Sequence, residues 1–119
     1  LMDINDFKTI NDIYGHLKGD QAIIQFGKIL QHSIDKDSVA IRMGGDEFVI
    51  FAILKSNEEA LALKKRIEQN VRQFNTNSTE PFHLSFSIGI AKYSGNIETF
   101  LSSMDDSMYE AKNMHRLMH

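Results

Sequence analysis

The sequence predicts an α+β sandwich in which helices pack around one central, mainly antiparallel sheet. Three observations point there. Ser38-Val39-Ala40-Ile41 and Val49-Ile50-Phe51-Ala52-Ile53-Leu54 are short, apolar and rich in β-branched residues, so they read as strands. The Gly44-Gly45 pair between them reads as a two-residue hairpin turn. Apolar residues at helical spacing fill the segments on either side of that hairpin. The resulting order, β-α-α-β-β-α-β-α with a final strand implied, has the ferredoxin-like arrangement as its nearest simple match.

Taken in order, Leu1 to Ile4 is strand, with Asp3 at or just before its end. Phe7, Ile10 and Ile13 fall on one face of a short helix over 6–14, and Gly15-His16 stops it. Gly19-Asp20 starts a second helix, Asp20 serving as N-cap or first-turn acid, with Ile23, Phe26, Leu30 and Ile34 as its stripe. Asp35 to Ser38 breaks that helix, and the hairpin follows. Ser56-Asn57-Glu58-Glu59 opens a third helix, which buries Leu63, Ile67, Val71 and Phe74 and runs to about Asn75. Asn75 to Pro81 is a polar loop. The alternation from Phe82 to Ala91 gives a half-buried strand. The last helix, from about Ile97 to Met114, carries Phe100, Met104, Met108 and Ala111. These Met and Phe stripes are core rather than a cofactor box.

The 119 residues suit one domain spanning 1–119, long enough to bury a core without disulfides. The absence of cysteine fits a reducing compartment, and a net charge of -3 gives no field to recruit nucleic acid. The histidines are dispersed, without zinc spacing. No run approaches a membrane span and no leader pattern opens the chain, so a cytoplasmic domain without direct membrane contact is expected. Leu1-Met2-Asp3-Ile4 reads as the tail of a strand, and Arg116 to His119 as the beginning of another element. Both ends look cut.

Chemistry is concentrated where the first strand ends and the hairpin turns. If the two lie side by side, Asp3, Asp46 and the Ile4 carbonyl form an oxygen-only set suited to Mg²⁺. On spacing alone, Asp3 serves equally as a helix cap and Asp46 as a turn residue. An EF-hand is excluded, because Lys8 and Tyr14 stand where its Gly and Glu belong. Free N–H groups from about Asn5 to Lys8 suit phosphate oxygens. Lys112 and Arg116, four apart, bring positive charge to the same phosphates or serve as ordinary helix-dipole partners. Asn11 and Asp20 are a polar pair able to read a guanine edge, or two capping residues.

Five blocks together resemble the GGDEF domain of bacterial diguanylate cyclases, from Asp3 to Arg116. They are Asp3 to Asp12 (DINDFKTIND), Gly15 to Asp20 (GHLKGD), Arg42 to Phe48 (RMGGDEF), Ser87-Ile88-Gly89, and the weaker Tyr109-Glu110-Ala111-Lys112. The resemblance implies a nucleotide-cyclase palm fold and condensation of two GTP into cyclic di-GMP, with release of pyrophosphate. It implies two Mg²⁺ or Mn²⁺ ions held by Asp3, the Ile4 carbonyl, Asp46 and Glu47, with Glu47 also a candidate base. Gly44 and Gly45 would leave space for the nucleotide, and Asn11 and Asp20 would read guanine. Phe7 and Lys8 would offer backbone N–H groups, and Lys112 and Arg116 would contact the terminal phosphates. Catalysis would need a second GGDEF domain, controlled by sensory or regulatory domains outside this chain. The alternative is a catalytically silent module that binds GTP or dimerises.

The sequence departs from the family pattern at three places. Asn5 stands where a second Asp is usual, and His115 replaces the Gly before Arg116. The Arg-x-x-Asp product-binding motif falls on Asp35 to Ser38, where neither end matches, so no product inhibition through that site is expected. The opening segment ahead of Asp3, with its Leu-Thr turn, and the end of the last strand are expected to lie outside the chain.

Overall fold

Alternation along a three-residue strand divides the molecule into two layers. The computed structural model describes residues 1–118. Strand β1 (Met2–Ile4) buries Met2 and Ile4 on one face and turns Asp3 to the other. It is followed by α1 (Phe7–Tyr14), α2 (His16–Ser33), β2 (Val39–Gly44), β3 (Glu47–Phe51), α3 (Asn57–Asn77), β4 (Phe86–Ile88) and α4 (Ile97–Met118). The strands form one antiparallel sheet in the order β2-β3-β1-β4. This is the ferredoxin-like order, with β1 and β2 flanking β3 and the helical crossovers packed beside the sheet.

The larger core lies on the α2–α3 side. Met2 pairs with Phe48 and Ile88, and Ile4 with Phe86, so one face carries the apolar residues of all three strands. Phe26 of α2 lies on that face, 5.2 Å from the Phe48 ring and 5.6 Å from Phe86. Ile67 and Val71 of α3 complete it. Ser56 caps α3 as its sequence requires, accepting a hydrogen bond from the Glu59 N–H at 3.2 Å. On the opposite face α4 buries Met104 and Met108 over Gly89, where any Cβ would collide with the backbone of both methionines. Glycine at 89 therefore sets how closely α4 approaches the sheet.

Six local expectations are corrected. The two-residue turn is Gly45-Asp46 rather than Gly44-Gly45: Gly44 ends β2 opposite Glu47, beyond a bulge after Arg42. Helix α2 begins at His16, so Asp20 lies past its first turn and caps nothing. Strand β3 stops at Phe51, since its partner β2 begins at Val39 and leaves nothing for Ala52 to pair with. Strand β4 is only Phe86–Ile88, because the Asn75 side chain takes the ladder's place at Leu84. It accepts from the Leu84 N–H at 2.7 Å and donates to its carbonyl at 2.8 Å. Helix α3 accordingly reaches Asn77, and the Arg116–Met118 segment continues α4. His119 lies outside the described residues.

A carboxylate site where the hairpin meets the first strand

Strand β1 ends against the hairpin tip. The Ile4 N–H donates to the Asp46 carbonyl at 3.3 Å, and Asp3 pairs across the ladder with Glu47 and, on its other side, with Ser87. Paired residues share a face, so two acids stand opposite each other with Asp46 beside them. Like charges in this relation are destabilising unless a cation intervenes. Asp3 is half-buried, and burial raises its pKa. The Lys112 ammonium opposes that rise and the Asp46 charge adds to it.

Lys112 reaches this spot from α4. Its Nζ lies 2.5 Å from Asp3 Oδ1 and donates to Asn5 Oδ1 at 2.7 Å. The ammonium is the partner of the buried Asp3 Oδ1, and its hydrogen bond and its charge both favour the ionised carboxylate. Buried carboxylate oxygens are ordinarily satisfied by hydrogen bonds. A carboxylate so placed, with Asp46 and the Ile4 carbonyl in the same corner, suits a hard divalent cation in exchange for the ammonium. No cluster of three His, Asp or Glu side chains is formed among the described residues, so any ion here would rely on backbone and substrate oxygens as well.

The turn is open and braced. Gly44 and Gly45 have φ of 146° and 52°, and nothing lies within 4 Å of where either Cβ would be. These backbone conformations favour glycine, and the absent side chains leave space beside Asp46. Arg42 Nε donates to the Gly45 carbonyl at 3.0 Å and ties the turn to its own strand.

On the other flank, Asp6 takes φ of 57° ahead of α1 and gives it no side-chain cap. The first helical bond is Ile10 N–H to the Asp6 carbonyl, 3.2 Å. Phe7, Lys8 and Thr9 thus have N–H groups without intrahelical acceptors. The Asn5 N–H is not among them, contrary to expectation, because it donates to the Ser85 carbonyl at 2.8 Å.

Asn11 and Asp20 come from adjacent helices joined through Gly15 (φ 89°). Asn11 lies mid-helix, its side chain against Gly19, where even a methyl group would overlap its Oδ1. This places Asn11 beside the residue preceding Asp20, which is exposed. Neither residue's side chain is a cap, so the capping alternative is removed for both. Arg116 is exposed one turn beyond Lys112. At the missing product-binding motif, Asp35 Oδ1 instead accepts from the Asp37 N–H and Ser38 Oγ, both at 3.0 Å.

What the sequence reading missed is the surround of Asn5. This side chain is buried and bonded to Ser85, Ser87 and Lys112, with His115 in contact. Two serines alternating on a half-buried strand were the available signal, since buried hydroxyls need partners. A concavity of about 650 Å³ between α2 and α3 lies elsewhere. Its one acid, Glu80, is already paired with Lys18 at 2.7 Å. No helix of the described residues is long and apolar enough to cross a membrane.

The family model described as diguanylate cyclase, GGDEF domain, matches residues 1–117. The chain is 35% identical over 115 residues to diguanylate cyclase DgcM of Escherichia coli, covering 95% of this chain and 28% of that protein. To diguanylate cyclase DgcS of Shewanella oneidensis it is 36% identical over 115 residues, 94% of this chain and 38% of the relative. Among solved structures, the isolated GGDEF domain of YfiN (TpbB) from Pseudomonas aeruginosa superposes with a TM-score of 0.83 at 31% identity, covering 95% of this chain and 69% of that one. The chain thus spans well under half the length of these curated relatives.

Proposed function

The chain belongs to the GGDEF family of diguanylate cyclase domains, and we propose that it condenses two GTP into cyclic di-GMP with release of two pyrophosphates. The observation that carries this reading is the Asp3–Glu47 juxtaposition beside Asp46 at the hairpin tip.

In each of two successive steps, the 3′-oxygen of one GTP attacks the α-phosphorus of the other. The bond from that phosphorus to the bridging oxygen breaks, pyrophosphate leaves, and the hydroxyl proton passes to a base. Glu47, exposed at the start of β3, is the candidate for that proton. Asp3, Asp46, Glu47 and the Ile4 carbonyl would hold Mg²⁺ or Mn²⁺, two ions per half-site, which polarise the phosphoryl groups when bound.

The remaining residues bind and orient. The Phe7 and Lys8 N–H groups, uncapped at the start of α1, suit phosphate oxygens. Lys112 and Arg116 add positive charge from α4. Asn11 and Asp20 read guanine, the Asp accepting from adjacent N–H donors. Gly44 and Gly45 leave the nucleotide room at the turn. One domain holds one GTP, so a second GGDEF domain must face it. Control of that pairing belongs in this reading to sensory or regulatory domains outside residues 1–119, in a cytoplasmic protein.

Incubation with GTP and Mg²⁺ followed by product analysis tests the reading. Cyclic di-GMP that disappears in Asp46→Ala supports it. The Lys112–Asp3 ion pair favours one second reading, a silent module in which the lysine occupies the place of the metal. GTP binding that needs Asp20, with no product, would select that module instead.

A further inference from the structure

We propose that Asn5 and His115 form a matched positioning pair, which pins the end of α4 to the β1–α1 connection and so holds Lys112 beside the carboxylate corner. The functional part of this rests on the cyclase reading above. The pairing itself rests on hydrogen-bond bookkeeping.

Asn5 is 4% exposed, and its side chain has two donors and two acceptor lone pairs to satisfy. Lys112 Nζ, which can only donate, lies 2.7 Å from one terminal atom and fixes that atom as the oxygen. Ser87 Oγ donates to the same oxygen at 2.7 Å. The other terminal atom is therefore the amide nitrogen. It donates to Ser85 Oγ at 2.9 Å and faces His115 Nδ1 at 3.4 Å. An amide nitrogen cannot accept, so Nδ1 must, and the neutral imidazole carries its hydrogen on Nε2. That nitrogen faces Asp6 Oδ2 at 3.3 Å. One chain of donor and acceptor assignments runs from Lys112 through Asn5 and His115 to Asp6.

The two residues that depart from the family pattern are thus in contact, and each suits the other. A carboxylate at position 5 would present only acceptors to His115 Nδ1. The serines would adapt, because hydroxyls donate as well as accept, but the neutral histidine would have to move its hydrogen to Nδ1 and turn a bare Nε2 toward the Asp6 carboxylate. With glycine at position 115, one Asn5 donor would lose its partner. The location gives the pair its consequence. Asn5 sits between Ile4, whose carbonyl faces the carboxylate corner, and Asp6, whose left-handed backbone launches α1. His115 lies between Lys112 and Arg116 and is packed in the last turns of α4.

Three readouts test the pair. In ¹⁵N NMR of the unsubstituted chain at alkaline pH, His115 should show the Nε2–H tautomer; the Nδ1–H form would overturn the proposal, whether or not any variant folds. In urea unfolding at the same pH, N5D should lose stability in the native background and less in the H115G background; additive effects would overturn it. Affinity for a non-hydrolysable GTP analogue with Mg²⁺ should fall roughly two- to tenfold in H115G, and N5D should weaken it further in the native background than in H115G. Coupling seen in stability but absent from analogue affinity would overturn the positioning role and leave a purely structural contact. The tautomer and the unfolding cycle need no nucleotide. Failure of the pair is therefore distinguishable from failure of the cyclase reading, which would show as no analogue binding by the unsubstituted chain.

Discussion

Asp3 and Glu47 stand directly opposite each other across the β1–β3 ladder, two acids on one face of a sheet. Lys112 supplies Asp3 with a counter-charge from α4. The arrangement stores an electrostatic cost that a bound cation would relieve.

That cost has a sign that can be measured. Burial raises the Asp3 pKa above 3.8, Lys112 opposing and Asp46 reinforcing the rise. The folded state then holds the Asp3 proton more tightly than the unfolded chain does. The destabilisation is full above the native pKa, shrinks as pH falls through it, and is gone below the unfolded value. Asp3→Asn cannot show this relief. On acidification from neutral pH toward 3.8, the native chain should therefore lose less stability than Asp3→Asn. Parallel urea-unfolding profiles for the two would contradict the assignment.

Asp20 offers a separation of binding from folding. It is exposed and lies beyond the first turn of α2, so Asp20→Asn should change stability by no more than about 0.5 kcal/mol. GTP affinity should nevertheless fall roughly tenfold, because an amide nitrogen presents donors where guanine also donates. Titration calorimetry alongside thermal melting would decide. A variant that melts early and binds normally would return Asp20 to a structural role.

Gly89→Ala tests the seat of α4. The added methyl meets the Met104 carbonyl and the Met108 backbone rather than flexible side-chain ends. Moving a helix costs about 1–3 kcal/mol in comparable overpacked sites. Lys112 rides on the same helix, so nucleotide affinity should drop with stability. Unchanged melting would show that α4 does not pack as described.

Asn75→Ala removes the amide that stands in for a strand at Leu84. The Leu84 N–H and carbonyl would lose both partners, at a cost of about 1–3 kcal/mol. Hydrogen exchange should accelerate at Leu84 well before it does in β1. Equal protection in the variant would mean another group already satisfies that backbone.

The element order was legible because it depends on local pattern: β-branched runs, helical stripes and a glycine turn. The placement of Asp3 beside Asp46 entered only as a condition, because which strands become neighbours is set by tertiary pairing. The failures have tertiary causes. Gly19 reads as a helix boundary, yet it lies inside α2 because only hydrogen fits against Asn11. Phe82 to Ser85 alternates like a strand, yet the ladder there is replaced by Asn75, which no periodicity reveals. The turn shifted by one residue because a bulge follows Arg42. Asn5 read only as a departure from the family pattern, whereas its side chain is the hub of a network joining the β1–α1 connection to β4 and α4.

Strand β1 has only three residues, yet it is the member that joins the β2–β3 hairpin to β4. The hairpin closes through neighbours in sequence, while Met2 must find Phe48 in the middle of the chain and Ile88 far along it. Such non-local closure is slow, and it comes after local pieces have formed. The strand that zips the two halves together is also the one that carries Asp3. Occupancy at Asp3 should therefore register as slowed amide exchange across the whole sheet, in β2 and β4 alike, rather than as local ordering of a loop.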